Sequence, residues 1–266
     1  MLQIYKAKSF IRQIEVGART KPWVVLVRTP NGLRPYVVKL FETPYIKVWD
    51  SVTNEVIGNV LASQFNLNVP SAAFIDFDHS FVQTLPENLI RILNLKDDRL
   101  KFGTELLEGV SQFNIHSFSS VEAREVLDID TLFGFDNLIR NADRTPQPAN
   151  LLVGDLKAFL IDHEMAFDMR GNVQNELETW EWPERFWKPH IFHGYLKRSW
   201  SSFKQEYFNE FEEYLKLLNV QVLNPYFMQL SANGFSSANH DPVINYLSAM
   251  KKNSNKFVNV LKAKIL

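Results

Sequence analysis

The chain has no cysteine among its 266 residues. Disulfides, thiolate zinc sites and cysteine nucleophiles are excluded together, and the usage fits a cytoplasmic protein. It also lacks charge of one sign: 29 basic residues face 30 acidic ones. No strong attraction to nucleic acid or anionic membranes is expected. No run approaches the roughly 18 apolar residues that a membrane helix needs, so no membrane segment is expected. The opening "MLQIYKAKSFIRQIEVG" has scattered charges and no apolar core, so it does not read as a signal peptide. There is no G-x-S-x-G elbow, no H-E-x-x-H helix, no G-x-G-x-x-G loop and no internal repeat.

What is present is an ordinary globular composition, 45% apolar and 22% charged, with 21 Phe and 6 Trp. The length suits one large domain or two lobes, and the rings suit a core of large side chains. Residues 1 to 48 read as strands. "PWVVLVRT" and "RPYVVKLF" are β-branched and aromatic, and "PNG" between them signals a hairpin over about Trp23 to Phe41. "SVTNEVIGNVLASQFNL" reads as a helix that Ser51 or Thr53 can cap, with Val56, Ile57, Val60, Leu61 and Phe65 as its apolar stripe. "VPSAAFIDFD" reads as a strand, "LPENLIRILNL" as a short helix, and "DDRLKFGTELLEG" as a strand or connector. From Ser119 the pattern turns helical, and "SSVEAREVLDIDTLFGFDNLIRNAD" holds one or two helices. Residues 168 to 195 are irregular and aromatic. Amphipathic helices are predicted over 200 to 218 and 241 to 264, with a broken stretch between them. The class is α+β, with a β-rich N-terminal lobe and a mostly α-helical C-terminal lobe. A ligand is expected in the cleft between such lobes.

Within the helical half, "NADRTPQPANLLVGDLKAFLIDHEMAF" contains a small hairpin turning near Gly154 to Lys157. The predicted pairing sets Leu152 against Leu160, Leu151 against Ile161 and Asn150 against Asp162. Opposed residues have Cβ atoms about 5 Å apart, so Asn150 and Asp162 would meet at the open end. An amide oxygen and a carboxylate are hard ligands suited to Mg²⁺. Asp143, seven residues before Asn150, can reach the same end. Phosphoryl transfer needs such a division: one set of oxygens for the metal, and a separate Asp for the acceptor hydroxyl. The same residues also read as common turn punctuation.

A kinase-type site further needs a strand lysine on the phosphates and a helix glutamate to orient it. "YVVKLF" supplies Lys39, and the following helix supplies Glu55, near the small residues Gly58, Asn59 and Ala62. The alternatives are a snorkelling edge lysine and a first-turn glutamate favoured by the helix dipole. Gly17 is the one glycine in "IEVGARTKPWVV" that could serve a phosphate loop. The order Lys, Glu, Asp, Asn, Asp is that of a kinase.

These motifs resemble the HipA-like kinases, and more narrowly the small stand-alone bacterial proteins of that family. The similarity lies in N-x-D-R, a Pro-containing insertion, N-L-L and I-D-H, with support from "NEVIGNVLASQFNLNVPSAAFI" and "LKFGTELL". It spans about residues 15 to 170. The resemblance implies a two-lobed protein-kinase-like fold over 1–266, with the N-lobe at about 1–105 and the C-lobe at about 106–266. It implies ATP and Mg²⁺ as cofactors. Lys39, Glu55 and Gly17 would bind nucleotide, Asp143 with Arg144 would be catalytic, and Asn150 and Asp162 would hold metal. Arg144 would contact phosphates or fix the loop. The expected reaction is phosphate transfer to an unknown acceptor, with a protein Ser or Thr leading. The alternatives are a small molecule or lipid, or a non-catalytic nucleotide- or partner-binding module. Two departures stand out: a longer Asp-to-Asn spacing than in most protein kinases, and Asp-His-Glu where those have Asp-Phe-Gly.

Two other readings remain. His163, His190 and His193 could join Asp143 and Asp162 in a carboxylate–histidine metal site. The rings from Trp180 to Phe192 could form a binding surface or pack a long loop onto the core.

Overall fold

Strands β1 (Gln3–Gln13), β2 (Trp23–Thr29) and β3 (Gly32–Val38) form a meander in the computed structural model. The structure describes all residues except 16–19, 155–156, 204–205 and 236–239, and the side chains of 200–203. The β2–β3 turn is closed by the Thr29–Gly32 pair, where Gly32 takes φ +102°, a conformation that strains any side chain. The region expected to be strand up to residue 48 instead ends in helix α1 (Thr43–Trp49), with Pro in its first turn, where a missing N–H costs nothing. Helix α2 (Ser51–Gln64) follows directly. Asp50 between them is left-handed and donates its N–H to Ile46 O, so Ser51 and Thr53 lie inside α2 rather than capping it.

Next come β4 (Ala72–Asp76), α3 (His79–Val82), α4 (Glu87–Leu93), β5 (Lys101–Glu105) and β6 (Ser111–Gln112). The helical stretch from Ser119 is two helices, α5 (Ser120–Val126) and α6 (Ile129–Leu138). Ser119 and Glu122 form a capping box on α5, and Asp128 caps α6 through Thr131 N. The hairpin is β7 (Leu151–Val153) and β8 (Ala158–Leu160). Helices α7 (Val173–Thr179), α8 (Glu184–Trp187), α9 (His193–Phe203), α10 (Asn209–Leu217), α11 (Asn224–Ala232), α12 (His240–Lys252) and α13 (Ser254–Ile265) complete the order. The two long helices expected over 200–218 and 241–264 are therefore each a pair. Phe208, left-handed at φ 65°, and Asn253, at φ −115°, stand at the breaks. The apolar rhythm continues across both, so periodicity could not reveal them. The stretch expected to be broken contains α11.

The chain divides into two compact units. The first comprises Met1–Ile57, Pro70–Glu108 and Asn224–Ser237. Its strands close a barrel in the order β1-β2-β3-β5-β4, with β1 and β4 parallel and the other pairs antiparallel. Trp23, Val25, Val27, Tyr36, Val38, Ala73 and Ile75 alternate along their strands and share one buried cluster. The α11 segment joins this unit from far along the chain. Gln229 bonds both the N–H and the C=O of Leu2, and Phe235 stacks on Phe74 with centroids 6.1 Å apart.

The second unit comprises Gly58–Val69, Gly109–Leu223 and Ala238–Leu266. Its sheet has the order β6-β7-β8. Helix α6 is its centre, and Ile129 and every residue from Thr131 to Leu138 are buried. Phe65 packs on Phe135 and Phe211 with centroids 5.4 and 5.5 Å away. Asn68 O accepts the Leu160 N–H at 2.8 Å, which ties the Gly58–Val69 segment to β8.

Candidate active site

In the first unit, β3 ends at Val38, and Lys39 follows it with its N–H still bonded to Phe102 O at 3.0 Å. The backbone is thus held to β5 while the side chain points to α2. Lys39 Nζ donates to Glu55 Oε1, and the two side chains are 14% and 2% exposed. Each charge offsets part of the other's desolvation cost. An ammonium has three donors, so holding Glu55 is compatible with gripping a phosphate. Gly17 lies outside the described residues.

In the second unit, β7 and β8 pair Leu151 with Leu160, Leu152 with Phe159 and Val153 with Ala158. This is one residue away from the expected register. Gly154 N–H bonds to Lys157 O, so the loop holds two residues rather than three, and every pair shifts by one. Asn150 O now accepts the Ile161 N–H at 3.1 Å. Asn150 and Asp162 therefore do not face each other across the ladder. Both leave it in the left-handed region, at φ 51° and 65°, which Asn and Asp tolerate best among non-glycine residues. Asn150 Nδ2 donates to the Asp143 carboxylate at 3.1 Å and to Asp143 O at 3.2 Å. Its NH₂ so directed, Asn150 has its amide oxygen as the ligand-capable atom. A carboxylate oxygen of Glu164 lies within 4.8 Å of one of Asp162.

Arg144 is fully buried. Its guanidinium grips both oxygens of Asp136 on α6 and donates to Asn150 O. Of its two expected roles, phosphate contact and fixing the loop, the geometry fits the second. Asp136 also accepts from Asn141 Nδ2 at 2.9 Å and pairs with His190 Nε2 at 3.1 Å. Burial would push the Asp136 carboxyl up, but Arg144 and His190 outweigh it and hold it well below the usual carboxylate range. Burial pushes the His190 imidazole down despite Asp136, which favours its neutral form. Asn141 Oδ1 receives the Asp143 N–H at 3.1 Å. One buried acid thus organises the loop that carries Asp143 and Asn150. Its signal in the sequence was an Asp-Asn pair inside an otherwise apolar helix, "LFGFDNLI".

Arg140 supports the segment after the hairpin. It is left-handed at φ 55°, and Asn141 N→Asp136 O with Arg140 N→Asn137 O gives the two bonds of a Schellman ending of α6. Glycine is usual there. The arginine stays because its guanidinium bonds Asp168 O and Glu176 between the rings of Trp182, Phe186 and Tyr246. Trp182 and Phe186 are buried, and Trp182 Nε1 bonds Asn137 Oδ1. The aromatic run therefore packs a loop onto the helical core. His193 bonds Lys264 O, and among the described residues no metal-capable cluster contains a histidine.

The family model for HipA-like kinases matches residues 8–222. That range covers most of the chain, and the protein belongs to the HipA-like kinase family. Membership makes it a phosphotransferase of kinase-like α+β fold that uses ATP. Among solved structures it is similar to the Helicobacter pylori proinflammatory kinase CtkA. The TM-score is 0.46 at 11% identity, with 91% of this chain and 94% of that chain covered. No curated protein matches it. Among the described residues no helix is long and apolar enough to cross a membrane.

Proposed function

We propose that the protein transfers the γ-phosphoryl group of ATP to a protein serine or threonine in a Mg²⁺-dependent reaction. Lys39 holds the nucleotide phosphates, and Glu55 keeps its side chain extended toward them. The Asp143 carboxylate receives the acceptor hydroxyl. As the acceptor oxygen bonds to the γ-phosphorus, the bond to the bridging oxygen breaks, ADP leaves and the proton passes to Asp143. Asn150 and Asp162 would hold Mg²⁺, which when bound neutralises charge developing on the phosphate oxygens. Their donor set fits that ion: an amide oxygen and a carboxylate, with the Glu164 carboxylate close enough to Asp162 to favour a cation nearby.

The observation that carries this reading is the 3.1 Å bond from Asn150 to the Asp143 carboxylate. It holds the acceptor carboxylate beside a metal ligand. Arg144 acts as a positioning residue through Asp136. The protein acceptor follows by analogy within the family.

Asp143→Asn should lower transfer at least about 100-fold while leaving ATP binding intact. Transfer at the wild-type rate would remove Asp143 from its role. Labelled ATP, a host lysate and mass spectrometry identify what gains phosphate. Label in a metabolite or lipid fraction rather than in Ser or Thr peptides would replace the protein acceptor.

A further inference from the structure

Gly58 lies on α2 against His163, the middle residue of the Asp-His-Glu tripeptide. A Cβ at Gly58 would stand 2.6 Å from His163 Cβ, 2.7 Å from Cγ and 3.0 Å from Cδ2. Those atoms are the stem and near edge of the ring, so rotating the far end would not relieve the clash. Nor is there room to retreat. His163 is 1% exposed, its ring stands edge-on to Phe135, and its carbonyl accepts the Ala166 N–H at 2.9 Å. Asp162 precedes it directly, in the left-handed conformation. Where His163 sits therefore sets where the Asp162 carboxylate points.

We propose that Gly58 is a positioning residue for the metal-binding carboxylate. Having no side chain, it admits His163 into contact with α2, and the seated histidine fixes Asp162 for Mg²⁺. Glu55 is three residues earlier on the same helix, on the same side by helical spacing. The inference rests on the reading of Asp162 as a metal ligand.

The test is calorimetry of a non-hydrolysable ATP analogue, with and without Mg²⁺, on the full chain. Gly58→Ala should weaken the Mg²⁺-dependent part of binding about tenfold or more, the scale of losing support behind a metal ligand. Binding without Mg²⁺ should persist. His163→Ala, which removes the seated ring, should weaken the Mg²⁺-dependent part in the same direction. A wild-type Mg²⁺ response in Gly58→Ala overturns the proposal. So does a loss that tracks only the folded fraction. Should Gly58→Ala fail to fold, His163→Ala decides: it removes the ring without adding bulk, and an unchanged Mg²⁺ response overturns the inference. Asp162→Ala separates the two levels. If it keeps the wild-type response, the metal assignment fails; if it loses the response while Gly58→Ala keeps it, only the positioning inference fails.

Discussion

Asp130 and Asp136 stand near opposite ends of α6, and their surroundings treat them in opposite ways. Asp130 accepts the Phe208 N–H at 2.8 Å and has Arg124 at 3.4 Å. Its neighbour Asp128 is committed to capping the helix. Burial first, and then the Asp128 charge, push Asp130 up to about 6. Asp136 is more deeply buried yet is held well below the usual range by Arg144 and His190. The helix dipole would order them the other way, since it favours an anion at the N-terminal end by about 0.3–1 kcal/mol. Close, fully buried donors outweigh it. Burial alone does not decide the state of a carboxylate; the number and charge of the donors reaching it do.

Removing the better-served carboxylate should have the largest effect. Asp136→Asn leaves the Arg144 guanidinium buried without its anion, and breaking such a pair costs about 3–5 kcal/mol. Urea denaturation at pH 7 should show that loss, and transfer activity should fall with it. The folded pKa of Asp136 is depressed, so its contribution is complete above the unfolded pKa near 4. The gap between wild type and variant should therefore narrow as pH falls below about 4. A gap under about 1 kcal/mol at pH 7 would mean that the cluster is not the organiser described above.

Between the two ends, Gly134 faces Phe211, and a Cβ there would lie 2.7 Å from the ring. Gly134→Ala should cost about 1–3 kcal/mol through overpacking, despite alanine's better helix propensity. A variant as stable as wild type, by the same denaturation, would show that α10 yields to the methyl.

The smallest effect belongs to Asp130, and its sign is reversed. A carboxyl with a raised folded pKa holds its proton longer in the folded state, so stability falls as pH rises from about 4 to about 6. Asp130→Asn should gain on the order of 1 kcal/mol above pH 6 and nothing below pH 4. A difference in Tm that is the same at both pH values would sink the contrast between the two ends.

Much of the framework was legible because it is locally encoded. β-Branched runs around Pro30-Asn31 make the β2–β3 hairpin, the pattern that turns helical at Ser119 makes α5 and α6, and Lys39 and Glu55 meet as their elements suggested. The hairpin of Asn150 and Asp162 was also recognisable, but its register was not. A one-residue difference in loop length moves every pair, and the apolar run "ANLLV" fits either register equally well. Phe208 and Asn253, which precede α10 and α13, take backbone angles outside the right-handed helix.

The sequence by itself determined which chemical groups the protein carries, their order along the chain and the elements that hold most of them. Tertiary structure alone decided that Arg144 faces inward to Asp136, that His190 joins it from 54 residues away, and that Gly58 makes room for His163. The physical reason is common to all three. Periodicity and turn chemistry act over a few residues, whereas these contacts depend on which distant atoms fill the same few ångströms once the chain has packed.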